Sequence, residues 1–175
     1  MIAAAVQSKV AEHESNTVWI IAQSNVAVKN VAEKLAESGF LDFKLLVSED
    51  FHFDWYVLPA VRFPLVDPDP RHEHLYQLMG ERMIDSGNFG GTAHENRRIL
   101  LGARVLLCTT GMLSTPRLMN CGFMEIVPVQ TIIIDEASQI EVGDYLPILA
   151  RYKTTLRKMV FIGDDKQCKR RRWGG

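Results

Sequence analysis

TIIIDEASQ, residues 131–139, sets four β-branched residues in a row, Thr131 to Ile134, against two carboxylates, Asp135 and Glu136. A short apolar β-branched run suits a strand buried on both faces. Two adjacent charges inside a sheet would each cost several kcal/mol. The acids therefore belong on a loop just past the strand end. In that place Asp135 can hold Mg²⁺ and Glu136 can orient a water. The same pair would also suit the start of a helix, where the dipole favours negative charge. The stretch alone leaves both readings open.

Working outward, similar strands appear on either side. Downstream, Val142 to Tyr152 reads as a helix, with Pro147 either near its first turn or kinking it. Lys158 to Ile162 is then a strand, ending in GDDKQ, Gly163 to Gln167. Upstream, Arg104 to Thr109 is a strand ending in TTG, Thr109 to Gly111, and Gly122 to Pro128 connects it to residue 131. Thr17 to Ala22 is another strand, followed by QSN, Gln23 to Asn25. Ser24 and Asn25 supply an N-cap for a helix from Val26 to Ser38, whose apolar face is Val28, Val31, Ala32, Leu35 and Ala36. Gly39 is the expected stop, and Phe43 to Val47 the next strand. Ile2 to Glu14 has helical spacing.

Strands that alternate with helices predict an α/β fold, a mostly parallel sheet with helices on both faces. Ligands of such sheets bind beyond the carboxyl ends of the strands. Four of those ends carry polar, loop-type sequence: QSN, TTG, DEASQ and GDDKQ. Their chemistry suggests roles at a nucleotide-driven site. Asp135 would hold the metal, through water, and Glu136 would polarise the attacking water. Gln167 or Gln139 would contact the γ-phosphate or that water. Ser24, Asn25, Thr109 and Thr110 offer hydroxyl and amide donors suited to nucleic-acid phosphates, which they would bind without reading sequence. Ser24 and Asn25 serve equally as helix caps.

Residues 49–96 have a different character. Phe51, Phe53, Trp55 and Tyr56 lie close together, Pro59, Pro64, Pro68 and Pro70 follow, and a helix is plausible from Arg71 to Ile84. The segment reads as an insertion or small subdomain outside the main sheet. Its aromatics suit an internal core better than base stacking, and His72 and His74, with no further ligands nearby, read as solvated.

Bulk composition is that of an ordinary globular chain of 175 residues, 47% hydrophobic and 23% charged. The formal net charge of −1 provides no global basic field, so a nucleic-acid contact must be local. Three cysteines, Cys108, Cys121 and Cys168, form no CxxC pair, which fits a reducing intracellular compartment, cytoplasmic or nuclear. No apolar run approaches the roughly 18 residues of a membrane span, and the first residues lack a signal peptide's basic start.

The motifs resemble those of superfamily 1 helicases, the Upf-like RNA-surveillance group. QSNVAVKNVAEKL is similar to motif Ia, with Gln23 and Lys29 as mild departures. VLLCTTGMLS is similar to motif Ic, TIIIDEASQ to motif II and VFIGDDKQ to motif III. The resemblance implies a RecA-like domain of the P-loop NTPase type, with ATP and Mg²⁺ as cofactors and single-stranded RNA or DNA as partner. Residues 1–48 and 97–167 would be its core, 49–96 the family's inserted subdomain, and 168–175 a disordered basic tail. The sequence contains no GxxxxGK[ST]; GNFGGT, Gly87 to Thr92, has no lysine after it. IAAAVQSKV is similar to the helix that follows the P-loop in the family. The expectation is an incomplete domain, the middle of a first RecA-like unit. Its partners would include the missing helicase segments, and one edge of its sheet would be unpaired. The alternative is a non-catalytic remnant that binds nucleic acid or a protein.

Overall fold

Burial on both faces, which residues 131–134 demand, is met in the computed structural model by a sheet covered on each side by helices. The structure describes residues 2–49, 51 and 78–163. Helix α1 (Ile2–Glu12) leads into β1 (Val18–Ala22), α2 (Asn25–Glu37) and β2 (Phe43–Val47). Next come β3 (Met83–Asp85), a 3-10 turn at Ser86–Asn88, α3 (Ala93–Leu100) and β4 (Val105–Thr109). The short helices α4 (Thr110–Leu113), α5 (Pro116–Asn120) and α6 (Phe123–Ile126) connect to β5 (Thr131–Ile134). A 3-10 turn at Ala137–Gln139, α7 (Val142–Tyr152) and β6 (Lys158–Phe161) complete the order.

The strands form one six-stranded sheet, β3-β2-β4-β1-β5-β6. Every adjacent pair is parallel. The fold is therefore α/β, as the alternation of patterns requires. β1 is central: Val18 pairs with Val105 on one side and Thr131 on the other, and Ile21 with Cys108 and Ile134.

Side chains alternate between two cores. Val18, Ile20, Ala22, Val105, Leu107 and Ile133 meet α1 and α2 through Val6, Val10, Val28, Val31 and Leu35. Trp19, Ile21, Leu106, Cys108, Ile132 and Ile134 face the other way, toward Leu100, Leu113, Leu118, Phe123, Ile148 and Tyr152. Period-two alternation places both sets in helix-covered layers. Polar ties hold the layers at their margins. The Arg104 guanidinium donates to the carbonyls of Val10, His13 and Glu14 at 3.0, 3.2 and 3.1 Å, satisfying the end of α1. Buried Trp19 donates its indole N–H to the Val127 carbonyl at 3.2 Å.

Several expectations need correction. The segment 49–96 does not lie wholly outside the sheet, because Met83–Asp85 pairs with β2, Leu45 opposite Met83 and Val47 opposite Asp85. Three residues with only Ile84 buried are too short to give a periodic signal. The helix expected over Arg71–Ile84 is helical at residues 78–80 among the described residues, and the chain then turns into β3. The core boundary expected at Arg97 falls inside α3. Thr92 caps that helix reciprocally: its hydroxyl accepts from Glu95 N at 3.3 Å, and Glu95 Oε2 accepts from Thr92 N at 2.6 Å. The connection before β5, expected only as a link, holds the short helices α4 to α6. Pro147 sits inside α7, so the carbonyl of exposed Gly143 loses its helical donor. Phe53, Trp55, Tyr56, the proline cluster, His72, His74, Gln167, Cys168 and the basic tail lie outside the described residues.

At the β6 edge Lys158 and Phe161 are exposed, Phe161 by 56%. Among the described residues no helix is long and apolar enough to cross a membrane.

Burial sets the expected cost of truncation. Leu107→Ala, in the fully buried centre of β4, should lower stability by about 2–5 kcal/mol. Leu149→Ala, on the exposed side of α7, should change it by less than about 0.5 kcal/mol. Urea unfolding followed by far-ultraviolet circular dichroism separates the two, and equal losses would contradict the layer assignment.

Candidate functional site

Because all six strands run the same way, their carboxyl ends share one edge. The polar segments after β1 and β4 meet there in a groove of about 690 Å³. Its walls include Ser24, Asn25, Thr109 and Thr110, the four residues expected to meet phosphates. Gln23, Gly111 and Ser114 extend them, and Asp144 and Pro147 of α7 close one side.

The groove has a definite hydrogen-bonding polarity. Ser24 caps α2, its hydroxyl oxygen accepting from Ala27 N at 3.1 Å. Thr109 caps α4 in the same way, accepting from Met112 N at 3.1 Å. In both, the oxygen is used as acceptor and the hydroxyl proton is left to donate. Thr110 donates to Gln23 Oε1 at 3.1 Å, which leaves the Gln23 amide N–H groups directed elsewhere. Ser114 donates to the Thr110 carbonyl at 3.1 Å, tightening the turn. The first amides of α2 add donors of their own. Among the described residues the lining is thus rich in neutral donors, and the charged side chain it holds is Asp144.

The acidic loop sits at the end of β5, next to β1. Asp135 N donates to the Ile21 carbonyl at 2.9 Å, continuing the ladder one residue past the strand. Asp135 and Glu136 are both partly exposed, and Gln139 is exposed on the 3-10 turn, its N–H donating to the Glu136 carbonyl at 2.8 Å. Glu136 adopts the left-handed conformation, φ 52° and ψ 36°. A residue with a Cβ resists that conformation. The turn is fixed from β6: Ala137 N donates to the Ile162 carbonyl at 2.9 Å. A Cβ added at Gly163 would stand 3.1 Å from Ser138 N. A glycine there lets the end of β6 approach the loop backbone.

Helix α7 touches both regions. While Asp144 and Pro147 line the groove, the Tyr145 hydroxyl donates to the Ala137 carbonyl at 3.2 Å. Burial, and then the nearby Asp144 charge, push the Tyr145 pKa up, so the phenol stays a donor at neutral pH. Its ring meets Phe161 edge-on at 5.5 Å. Arg151 donates to the Ser114 carbonyl at 3.1 Å and Tyr152 to that of Leu113 at 3.0 Å, bracing the groove floor.

The structure thus brings Ser24, Asn25, Thr109 and Thr110 into one groove and keeps Asp135, Glu136 and Gln139 on one neighbouring loop. Gln167 lies outside the described residues. Sequence reasoning missed Gln23, Ser114, Asp144 and Tyr145. Gln23 and Ser114 flank residues already singled out, whereas nothing in the pattern of α7 marked Asp144 or Tyr145.

Comparison with known proteins adds a family. The family described as AAA domain matches residues 71–169, more than half of the chain. No curated protein sequence matches. Among solved structures, the chain is similar to the crystal structure of the Pyrococcus furiosus Hef helicase domain, at 14% identity and a TM-score of 0.33. That likeness covers 93% of this chain, which spans 31% of the other.

The backbone at Glu136 generates a direct expectation. Relief of left-handed strain, about 1–2 kcal/mol, outweighs the extra chain entropy of glycine, about 0.5–1 kcal/mol. Glu136→Gly should therefore stabilise the protein by about 0.5–1 kcal/mol, and Glu136→Gln should be close to neutral. Urea midpoints test this, and a loss of stability in Glu136→Gly would refute it.

Proposed function

Since the chain belongs to the AAA-domain family, we propose that it forms part of an ATP-dependent helicase acting on single-stranded RNA or DNA, of the Upf-like group whose motifs it resembles. The observation that carries this reading is the shared groove. Four donor side chains expected at phosphates line one concavity, beside the loop that bears Asp135 and Glu136. Donors without base-reading geometry suit a protein that moves along a strand irrespective of sequence.

Division of labour follows the geometry. Ser24, Thr109 and Asn25 donate to phosphate oxygens, and Thr110 and Gln23 hold each other in place across β4 and β1. The acidic loop fits a nucleotide's Mg²⁺ in part. No three His, Cys, Asp or Glu residues among those described could hold a metal ion by themselves. Mg²⁺ needs only one or two carboxylates when phosphates and water complete its shell. Asp135 is the residue for that contact, Glu136 the one to orient a water and take its proton, and Gln139 and Gln167 the ones to contact the terminal phosphate. Bound Mg²⁺ would neutralise phosphate charge. Through Tyr145 and Asp144, α7 joins that loop to the groove, so a shift of one is felt by the other. Cys108 and Cys121 are buried free thiols, consistent with a reducing compartment, cytoplasmic or nuclear.

The sequence of residues 1–175 contains no phosphate-cradling GxxxxGK[ST]. For this chain taken alone the reading is therefore binding without turnover. Purified by itself it should hydrolyse no ATP above background in a phosphate-release assay. Turnover abolished by Glu136→Gln would overturn that expectation.

Binding is the direct test of the groove. Asn25→Asp places a second negative charge against the phosphates, and should weaken single-stranded oligonucleotide binding about tenfold, the effect of about 1.4 kcal/mol of repulsion. Lys153→Gln, the same change of one charge after the end of α7 and away from the groove, should cost much less. Fluorescence anisotropy reads both, and equal losses would show that only overall charge matters.

A further inference from the structure

Strands β1, β2 and β5 are buried at every residue, whereas β6 is exposed at Lys158 and Phe161 and only partly covered between them. It stands at one end of the sheet, with no strand on its outer side among the described residues. A bare strand edge is a template for pairing. The helix beside it is bare in the same direction. At about 100° per residue, Val142, Leu146 and Leu149 fall on one stripe of α7. All three are exposed, Val142 by 80% and Leu146 by 63%. Tyr145, next to that stripe, meets the Phe161 ring of β6. Asp144 and Pro147, which line the groove, fall on the opposite side of the helix. The stripe therefore looks out past β6, away from the groove.

Charge is graded along this edge. Helix α7 joins two parallel strands, so it runs back against them. Asp135, Glu136 and Glu141 lie where β5 ends and α7 starts; Lys153, Arg157 and Lys158 lie where α7 ends and β6 starts. Glu12, whose charge is felt at Lys158, is already bonded to Lys9 at 2.5 Å. We propose that this face binds a second copy of the chain, the two β6 strands running antiparallel about a two-fold axis. Opposed direction is what the charges favour. It sets Glu141 at the start of one α7 beside Lys153 at the end of the other, twice by symmetry. A parallel arrangement would set like charge against like. Side chains opposite one another in antiparallel strands share a face, and a register centred on Val160 seats Phe161 of each copy beside Met159 of the other. The two apolar stripes then close over the seam. The two-fold uses up both β6 edges, which ends the assembly at two. This surface is independent of the reading of the groove.

Sedimentation equilibrium of the 175-residue chain tests the proposal. Four paired residues and one apolar stripe make an interface of the small, weak class, so the mass should approach that of a dimer at about 100 μM and that of a monomer at about 5 μM. Urea melts run at the lower concentration read the monomer. Leu146→Lys places a charge on each stripe and should raise the dissociation constant about tenfold or more, since the substitution enters the dimer twice. Glu141→Lys and Lys153→Glu should each weaken the dimer severalfold. The chain that carries both should recover, because the reversed pair meets again. Added salt should weaken the wild-type dimer. All three positions are exposed, and circular dichroism checks that the variants fold. A chain that stays monomeric at the higher concentration overturns the inference. So does a dimer indifferent to Leu146→Lys, or one that the double charge reversal fails to restore. Association that continues past two copies contradicts the two-fold closure and overturns it as well.

Discussion

The parallel pairing of β1 between β4 and β5 is the constraint on which the rest depends. Ile20 and Ile21 are buried and matched in register to apolar residues on both sides. β1, β4 and β5 carry no charged side chain, and the polar segments QSN, TTG and DEASQ come where each of them leaves the sheet. Parallel direction then brings those exits to one edge. QSN, TTG and the acidic loop become neighbours although as many as 113 residues separate Gln23 from Glu136. A polar edge is thus a by-product of burying an apolar core.

Locally unfavourable features gather at that edge. Glu136 holds a left-handed backbone, Pro147 interrupts the bonding of α7, and donor protons at Ser24 and Thr109 are left over after capping. Elsewhere some helix ends are satisfied, by Arg104 at the end of α1 and by Thr92 with Glu95 at the start of α3, although Leu101 after α3 is also left-handed, at φ 49°. Strain at a site is retained only when surrounding structure over-determines it. Here the determinants are the β6 clamp on Ala137, the close approach of Gly163, and Tyr145 from α7.

Much of this was legible in the chain itself. The strands at 18–22, 105–109 and 131–134 are apolar runs with polar ends, and burial on two faces leaves such runs no other place. Ser24 and Asn25 followed by an amphipathic run marked α2. What escaped notice was short or three-dimensional. β3 has three residues, below the reach of any periodicity. Helix α3 did carry a signal, Thr92 with Glu95 three positions later, but its charged composition masked the apolar spacing. The helices α4 to α6 have four or five residues each; Thr109 and Thr115 cap α4 and α5, and α6 follows left-handed Gly122 with no side-chain cap. Asp144 and Tyr145 acquire meaning only when α7 packs beside both the groove and the acidic loop.

The central claim is that a single strand lies in the groove between β1, β4 and α7. It is tested most directly by photo-crosslinking the chain to a thiouridine-labelled oligonucleotide and mapping the adducts by mass spectrometry. A strand seated there gives adducts in peptides that contain Gln23 to Asn25, Thr109 to Ser114 and Asp144. Adducts concentrated instead on the exposed basic residues Lys153, Arg157 and Lys158 would contradict it.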